Sequence, residues 1–223
     1  MKELTVTELY TLEETIARDI FNDVTYPWEA LAKINDFILE LGPTLSEEEY
    51  DKVGEDVWIA KSAKVAPTAH IDGPCIVGKE AQIRHCAFIR GKAIIGEGAV
   101  VGNSTEIKNV ILFNKVAVPH YNYVGDSILG YKAHMGAGSI TSNVKSDKKL
   151  VVLKTPEGNI ETGIKKFGAM IGDRVEVGCG TVMNPGTVIG KDTNIYPLSS
   201  VRGFVPANSI YKKQGEVATK IEE

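Results

Sequence analysis

The sequence predicts a mainly β protein, in which a solenoid of short parallel strands follows a short α-helical segment. Every sixth residue from Val53 to Ile107 is β-branched, and a small residue such as Ala81 or Ala99 often stands two places before the next one. Neither a helix nor an array of hairpins requires a period of six. A solenoid does, because each unit of six can form one side of a three-sided coil. The β-branched side chains are then predicted to point inward and to stack from coil to coil.

Residues 1–52 have a helical period instead. Thr11 and Glu14 have the spacing of a capping box, which predicts the start of a helix. Pro27 is predicted to begin a second helix, since a missing N–H costs little in the first turn, and Gly42 is predicted to end it. A further short helix is expected at residues 46–51. The apolar residues at helical spacing are Ile16, Ile20, Phe21, Leu31, Ile34, Ile38 and Leu39.

The coil is predicted to cover residues 53–208 and to leave residues 209–223 as a C-terminal tail. Two interruptions divide it, one near residues 113–123 and one at residues 145–166. Charge, proline and glycine in the second interruption predict a loop inserted into the coil, with a small hairpin around the turn sequence PEGN. The period returns in another phase at Leu129, Met135, Thr141, Ile171, Val177, Met183, Ile189, Ile195 and Val201.

Composition argues against several functional classes. The 223 residues carry a net charge of −4, which gives no general affinity for nucleic acid. No apolar stretch is long enough to span a membrane, and the N-terminus lacks the apolar core of a signal peptide. Cys75, Cys86 and Cys179 have no CxxC spacing, so we expect buried reduced thiols in a cytoplasmic protein and no metal site.

Two basic residues stand where the repeat usually has a small one. Arg90 follows Ile89, and Lys108 follows Ile107. They are three units of six apart, which is one turn of a three-sided coil, so they are predicted to lie one rung apart. They are either two solvated charges at a corner or a pair of phosphate ligands. Two close cations repel each other unless they share an anion, which favours the phosphate interpretation.

A polar and aromatic cluster breaks the repeat in the segment VPHYNYVGD. Its histidine is His120, which has a proline before it and tyrosines after it. A single histidine is more often structural than catalytic, but these neighbours are unlike a core face, so His120 is a candidate functional residue. His134 is interpreted as mainly structural, and His70 and His85 as solvated.

The repeat and its interruptions carry a resemblance to a known family. The unit of six resembles that of the hexapeptide-repeat acyltransferases, whose fold is a left-handed parallel β-helix and whose members are mostly trimers with active sites between subunits. The motifs RGKAIIGEGAVVGNSTEIKN, VPHYNYVGD, GAGSITSN and KKFGAMIGD resemble the acetyltransferase domain of the bifunctional enzymes that make UDP-N-acetylglucosamine. The resemblance implies a cytoplasmic homotrimer that acetylates an amino-sugar phosphate, glucosamine 1-phosphate above all, with acetyl-CoA as donor.

The resemblance also implies roles for single residues. His120 corresponds to the general base, and Glu106 to a carboxylate near the base and the amine. Coenzyme A would be contacted by Ala137, whose backbone approaches the thioester, and by Cys179. Lys213 is predicted to meet the phosphates of coenzyme A, because SIYKK ends the repeat with two cations. The residues that correspond to ligands of the sugar or its phosphate are Arg90, Glu106, Lys108, Tyr123, Asn143 and Lys166.

These roles describe a direct transfer. An amine is a nucleophile only when unprotonated, and a neutral imidazole, whose ordinary pKa is about 6.5, can take its proton during attack on the thioester. Such a base contributes about a hundredfold to ten-thousandfold in rate. A backbone N–H within residues 136–138 would stabilise the oxyanion, and the cations would hold the phosphate.

Several alternatives stay open. His134 stands where the family usually has an asparagine that binds the sugar, which is compatible with a protein that binds sugar phosphates without turnover. The sequence contains no glycine-rich nucleotide loop, so we expect no nucleotidyl transfer from these residues. A zinc hydratase of the γ-carbonic anhydrase type shares this coil, but the histidines lack its close pair. The N-terminal helical segment could cap the first coil or bind a partner.

Overall fold

The chain winds into a three-sided parallel β-helix, with an N-terminal segment of short 3-10 and α-helices packed along one side. The computed structural model describes residues 1–213 and 216–219. Parallel pairing between successive coils confirms the predicted mainly β solenoid. The strands of the first half are β1 (Tyr50–Gly54), β2 (Val57–Ala60), β3 (Lys64–Val65), β4 (His70–Asp72), β5 (Cys75–Val77), β6 (Gln82–Ile83), β7 (Phe88–Arg90), β8 (Ala93–Ile95), β9 (Val100–Asn103), β10 (Glu106–Leu112), β11 (Ala117–His120) and β12 (Tyr123–Leu129).

The second half continues the coil on both sides of the insertion. Its strands are β13 (His134–Met135), β14 (Ile140–Thr141), β15 (Val152–Thr155), β16 (Gly158–Glu161), β17 (Ala169–Ile171), β18 (Glu176–Val177), β19 (Val182–Met183), β20 (Thr187–Ile189), β21 (Asn194–Ile195), β22 (Ser200–Val201), β23 (Phe204–Val205), β24 (Ser209–Lys213) and β25 (Glu216–Thr219).

Each turn of the coil contributes a strand segment to three faces. The first face contains β2, β5, β8, the second halves of β10 and β12, β17, β20 and β23. The second face contains β3, β6, β9, β11, β13, β18, β21 and β24. The third face contains β4, β7, the first halves of β10 and β12, β14, β19 and β22. Parallel pairing runs on through β24, at the start of the predicted tail, and β25 pairs antiparallel with β24.

The predicted interior stack is found above the first coil but not at the start of the repeat. Val53 and Val65 are 59% and 38% exposed. Val53 lies in β1, which forms an antiparallel hairpin with β2 instead of a coil. Val65 lies in β3, which pairs with β6 above it and ends its sheet. The interior positions that are almost fully buried are Val77, Ile83, Ile89, Ile95, Val101 and Ile107.

The N-terminal segment differs from the predicted pair of helices. Its α-helices are α1 (Val6–Leu9) and α2 (Ile34–Leu41), and 3-10 turns form most of the remainder. The capping box at Thr11 is wrong, because the Thr11 hydroxyl donates to the carboxylate of Asp173 in the coil at 2.7 Å. Pro27 begins a 3-10 helix that ends at Ala32. The helix expected at residues 46–51 is wrong, since a turn leads there into β1. The 3-10 helices are Lys2–Leu4, Leu12–Glu14, Arg18–Phe21, Pro27–Ala32 and Gly42–Thr44.

This segment covers the first face rather than capping the first coil. The Tyr10 and Phe113 rings lie 5.0 Å apart between centroids, and Trp28 stacks on Phe167 at 5.5 Å. Removal of this apolar surface from water holds the segment in place. The second and third faces and the corner between them are left for function. The residues of the first face that alternate with the interior ones, and that are fully buried, are Ile76, Ile94, Ile111, Ile128, Met170 and Val188.

The inserted residues 145–166 fold back onto the coil. β15 and β16 form the predicted antiparallel hairpin around PEGN. Val151 and Leu153 are fully buried, and a Cβ added at Gly203 would meet the Lys154 carbonyl oxygen at 2.5 Å. The insertion therefore lies against the upper coils and forms a wall beside the third face.

Candidate active site

The repeat loses one residue where the candidate site lies. Ile89 pairs with Ile107, eighteen residues on, whereas Ile107 pairs with Val124, seventeen residues on. The residue is missing at the corner between the third and first faces, through which β10 and β12 run without a break. Asn109 and Asp126 form this corner with φ of +52° and +48°, a conformation that Asn and Asp tolerate better than most residues. The change of phase in the sequence is therefore a tightened corner.

Arg90 and Lys108 lie one rung apart at this corner, as the spacing predicts. Nη1 of Arg90 donates to Oε1 of Glu106 at 2.6 Å. This bond raises the pKa of the Arg90 guanidinium. A carboxylate of the chain thus offsets the charge of Arg90, so repulsion between the two cations does not by itself require a bound phosphate. Glu106, expected near the amine, turns toward Arg90 instead.

Lys108 is half-buried and lies beside Lys166, the last residue of the inserted segment. Burial contributes most to lowering the pKa of the Lys108 amine, and Lys166 and Arg90 lower it further, whereas Asp126 raises it. Three cations from separate stretches of the chain therefore meet at one corner. We call Arg90, Lys108 and Lys166 the basic cluster. Glu106 and Asp126 lie beside this cluster and offset part of its charge, and its donors have the chemistry that binds a phosphate.

Tyr123 and Asn143 lie beside the basic cluster and are held through Asp126. The Asn143 amide donates to the carboxylate of Asp126, which also accepts from Nδ2 of Asn109 at 2.9 Å. The same Asn143 amide lies 3.4 Å from the Tyr123 hydroxyl. A Cβ added at Gly125 would meet that hydroxyl oxygen at 2.6 Å, so glycine leaves room for the ring. Burial raises the pKa of Tyr123, which keeps its phenol a hydrogen-bond donor.

His120 ends β11 at the corner between the second and third faces. Its side chain is exposed, and no hydrogen bond to its ring comes from the described part of the chain. Its backbone is fixed, because its N–H donates to Oδ1 of Asn122 at 3.0 Å. Nδ2 of Asn122 in turn donates to the Gly136 carbonyl at 2.8 Å. The buried Asn122 thereby joins the His120 loop to the glycine run one coil above.

Ala137 and Cys179 lie in one column with His120, along the axis of the coil. The N–H of Gly138 donates to the His120 carbonyl at 3.0 Å, and the N–H of Gly180 donates to the Ala137 carbonyl at 2.9 Å. Because neighbouring rungs are about 4.8 Å apart, Cys179 lies about 10 Å from His120.

Lys213 continues the same column toward the end of the coil. It follows Tyr211, which pairs with Ile195 on the second face. Its amine is 3.1 Å from the carboxylate of Glu216. A ligand phosphate at Lys213 would therefore compete with this carboxylate.

Within the glycine run of this column, the Ala137 N–H is available to a ligand. The N–H groups of Gly136 and Gly138 donate to the carbonyls of Val177 and His120, at 2.7 Å and 3.0 Å. The Ala137 N–H between them has no acceptor within residues 1–213 and 216–219. It can donate to an oxygen bound next to His120.

The remaining histidines lie apart from the basic cluster. His134 lies on the second face, so the place of the expected sugar-binding asparagine is taken by a histidine hydrogen-bonded to a carboxylate. Among the residues that the structure describes, no three His, Cys, Asp or Glu side chains are placed to hold a metal ion. The partners are Glu176 for His134, Thr68 for His85 and Asp72 for His70.

The cysteines are free, but the predicted burial is wrong for two of them. Cys75 lies in the interior, where burial raises the pKa of its thiol to about 12. Cys86 and Cys179 are exposed, because both stand at the corner between the second and third faces. Cys179 therefore presents its side chain to the surface above His120.

Sequence reasoning missed Asn122 and Asp126 as parts of the site. Their side chains are 2% and 4% exposed, and both are hydrogen-bonded, as buried polar groups require. A signal for Asn122 is present in the sequence, since it stands two places before Val124, where the repeat has a small inward residue. Asp126 gives no such signal, because its importance depends on the missing residue at the corner.

Among the described residues, no helix combines the length and the apolar character needed to cross a membrane.

Comparison with known proteins gives three kinds of match. Residues 71–189 match the family model of the GMPPB C-terminal domain. The bifunctional protein GlmU of Methanococcus maripaludis is 32% identical over 203 residues, which cover 90% of this chain and 49% of that protein. The uncharacterized acetyltransferase YaiX of Escherichia coli is 32% identical over 169 residues, covering 76% and 74%. Among solved structures, the polySia-specific acetyltransferase NeuO has 13% identity, coverage of 70% and 78%, and a TM-score of 0.46. The chain spans about half the length of the GlmU relatives that it matches.

Proposed function

The chain belongs to the hexapeptide-repeat acyltransferase family, and from that premise we propose that it transfers acetyl from acetyl-CoA to the amine of an amino-sugar phosphate, with glucosamine 1-phosphate as acceptor. One observation carries the proposal: His120 and the basic cluster stand at opposite edges of the third face, with Tyr123 between them. The strand part of this face is about three residues wide, or about 10 Å. A hexosamine phosphate can bridge such a distance.

His120 is proposed as the general base. An amine at this edge of the face would give its proton to the exposed imidazole as its nitrogen bonds to the thioester carbonyl carbon. The C–S bond then breaks, and coenzyme A leaves as the thiolate and takes up the proton from the imidazolium. Because Asn122 and Gly138 hold the backbone of His120 on both sides, the imidazole is presented from a fixed point. Fixed placement of a reacting group lowers the entropic part of the barrier.

The Ala137 N–H is proposed to stabilise the oxyanion of the tetrahedral intermediate. It is the donor of the glycine run that the described chain leaves without an acceptor, and it lies one rung above His120. The group that accepts the proton and the group that stabilises the oxyanion would then lie on adjacent rungs of one column. Removal of such a donor typically costs about a hundredfold to a thousandfold in turnover.

The basic cluster is proposed to bind the phosphate of the acceptor, and Tyr123 and Asn143 its sugar. The lowered pKa of Lys108 indicates that its surroundings disfavour the protonated amine. A bound dianionic phosphate would stabilise that protonated form. Glu106 would either share Arg90 with the phosphate or turn toward the amine.

Acetyl-CoA is proposed to lie along the column of His120, Ala137 and Cys179, with its phosphates toward Lys213. This direction follows from the stacking of the column along the axis. The cytoplasm remains the predicted location.

The active assembly is proposed to be a homotrimer with sites at the subunit boundaries. Three prisms can pack face to face around an axis with closed symmetry. Tyr121 and Leu198, next to the column of His120, are 64% and 85% exposed, so a neighbouring subunit at this boundary would cover two large side chains. Light scattering over a dilution series tests this: we expect a trimer, and a fully active monomer would contradict both the assembly and the shared site.

A second candidate is a protein that binds sugar phosphates without turnover. It is favoured by the ion pair that occupies Arg90 and by the absence of any described side chain that orients the His120 ring. Release of coenzyme A on addition of glucosamine 1-phosphate separates the two candidates.

The experiment that tests the proposed function is an acetyl-CoA turnover assay over a panel of amino sugars. We expect turnover with glucosamine 1-phosphate, less with galactosamine 1-phosphate, and little with unphosphorylated glucosamine. Binding of the sugar phosphates without release of coenzyme A would favour the second candidate.

A further inference from the structure

A cavity of about 520 Å³ lies between the inserted segment and the third face. The coil contributes Ser142, Asn184 and Arg202 to its lining, and the segment contributes Lys145 and Lys154. A cavity of this size accommodates a small metabolite rather than a single ion. No role in the proposed acetyl transfer uses it.

The lining contains basic side chains, some of them paired and some without a partner in the described chain. Lys145 is offset by the carboxylate of Asp147 at 3.2 Å. Lys154 and Arg202 have no carboxylate partner among the described residues, and Arg202 makes one hydrogen bond, to Oδ1 of Asn184 at 3.3 Å. The Ser142 hydroxyl also has no partner within the described chain. The lining of the cavity thus has a net positive charge. Hydrogen-bond donors point into the cavity from both the coil and the inserted segment.

The cavity is close to the basic cluster but separate from it. Lys108 pairs with Gly125, and Tyr123 pairs with Ile140, so Ser142 lies two rungs above Lys108. Two rungs are about 10 Å, too far for one phosphate to reach both groups. The inserted segment, residues 145–166, also begins two residues after Asn143 and ends at Lys166, so a residue of the candidate site stands at or close to each of its ends.

We propose that this cavity binds a phosphoryl group of a small molecule, distinct from the phosphate at the basic cluster. Lys154 on the hairpin and Arg202 on the coil would donate to the same phosphoryl oxygens, with the Ser142 hydroxyl as a third donor. Such a bridge fastens the inserted segment to the coil. Because the segment joins Asn143 to Lys166, the bound group would also fix the positions of these two residues.

The phosphoryl group has two possible sources with the same chemistry. It is either a second phosphoryl group of an acceptor larger than glucosamine 1-phosphate, or part of a separate phosphorylated metabolite that binds beside the acceptor.

Calorimetric titration of the full chain with inorganic phosphate at low ionic strength tests the cavity without any need for turnover. We expect two classes of site. Lys154→Ala and Arg202→Ala should each weaken one class about tenfold or more and spare the other, since a charge-assisted bond is lost. Lys108→Ala should do the reverse, and Lys64→Ala, an exposed lysine of the second face, should change neither. Titrations of Lys154→Ala and Arg202→Ala that match the unmodified protein would overturn the proposal.

Kinetics with two acceptors distinguish the sources. If the acceptor supplies the group, Lys154→Ala should raise the KM for UDP-glucosamine about tenfold more than the KM for glucosamine 1-phosphate. If a separate metabolite supplies it, added inorganic phosphate should change kcat/KM for glucosamine 1-phosphate in the unmodified protein more than in Lys154→Ala. Should the chain bind sugars without turnover, the proposed acetyl transfer fails, and the phosphate titration still decides the cavity.

Discussion

The coils that stack Ile89 on Ile107 and Ile171 on Ile189 are eighteen residues long, whereas the coil that stacks Ile107 on Val124 has seventeen. Both kinds have the same interior of stacked aliphatic side chains. They differ at the corner between the third and first faces, where the shorter coil turns through Asn109 and the coil above it turns through Asp126, a carboxylate 4% exposed. Loss of one residue leaves the core unchanged and converts a solvated corner into a set of fixed polar groups.

The regular and shortened coils also differ at the corner between the second and third faces, where each has a histidine in the same column. His85 lies in a regular coil, and its ring hydrogen-bonds Thr68 at 2.6 Å. His120 lies two rungs higher in the same column, and its ring has no such bond from the described chain. The regular coil thus satisfies its histidine, and the shortened coil leaves its histidine available to a ligand.

The first prediction tests the difference between the two histidines and has the largest expected effect. His120→Ala should lower kcat by about a hundredfold to ten-thousandfold, because it removes the proposed base. His85→Ala is the matched control and should leave kcat within about twofold of the unmodified protein. Steady-state kinetics measure both, and circular dichroism checks that the coil is intact. Near-normal kcat for His120→Ala at neutral pH would contradict its assignment as base.

The second prediction concerns the phosphate at the shortened corner. Arg90→Ala and Lys108→Ala should each raise the KM for glucosamine 1-phosphate about tenfold to a hundredfold, as expected for a charge-assisted hydrogen bond. The double variant should lose less than the product of the two effects, since both residues hold one ligand.

Its control is the exposed Lys64→Ala, which should not change KM. Equal losses with phosphorylated and unphosphorylated glucosamine would rule out the shared phosphate.

The third prediction concerns Asp126, whose carboxylate is buried at the tightened corner. Asp126→Asn should lower kcat/KM about twofold to tenfold, because one hydrogen bond that holds Asn143 is weakened. It should also shift the pH profile. Lys108 must be protonated to hold a phosphate, and its pKa is already lowered by burial, Lys166 and Arg90 but raised by Asp126.

Removal of the negative charge lowers the pKa of Lys108 further, so the alkaline fall of kcat/KM should begin at a lower pH than in the unmodified protein. Asp51→Asn, an exposed acid of β1, is the control. An unchanged alkaline limb in Asp126→Asn would show that Asp126 does not act through Lys108.

The fourth prediction has the smallest effect on turnover and the largest on stability. Ile95 lies in a regular coil, fully buried between Val77 and Leu112. Ile95→Ala should lower the free energy of unfolding by about 2–5 kcal/mol, with kcat per folded molecule almost unchanged. Denaturant unfolding and kinetics on the same sample measure the two. A large loss of kcat in fully folded Ile95→Ala would mean that chemistry is not confined to the shortened coils.

Much of the fold could be read from the sequence because a solenoid repeats one local rule. The period of six places Val77, Ile89 and Ile107 in the interior, and the spacing of Arg90 and Lys108 places them one rung apart. Such contacts are between neighbouring coils, so a fixed separation along the chain predicts a fixed separation in space. The rule fails at Val53 and Val65, because the first coil has no coil beneath it.

The remainder depended on the tertiary structure, because it involves contacts that no repeat encodes. The N-terminal segment covers the first face through Tyr10 and Trp28, although the extra aliphatic residues of that face were visible in the sequence. Lys166 reaches Lys108 after the inserted segment folds back. The carboxylate of Asp126 is buried because one residue is missing from its corner. The change of phase in the sequence shows that a residue is missing, but it does not show which side chains the tightened corner brings together. Local periodicity therefore determined the coil, and its interruptions, whose contacts are long-range, determined the site.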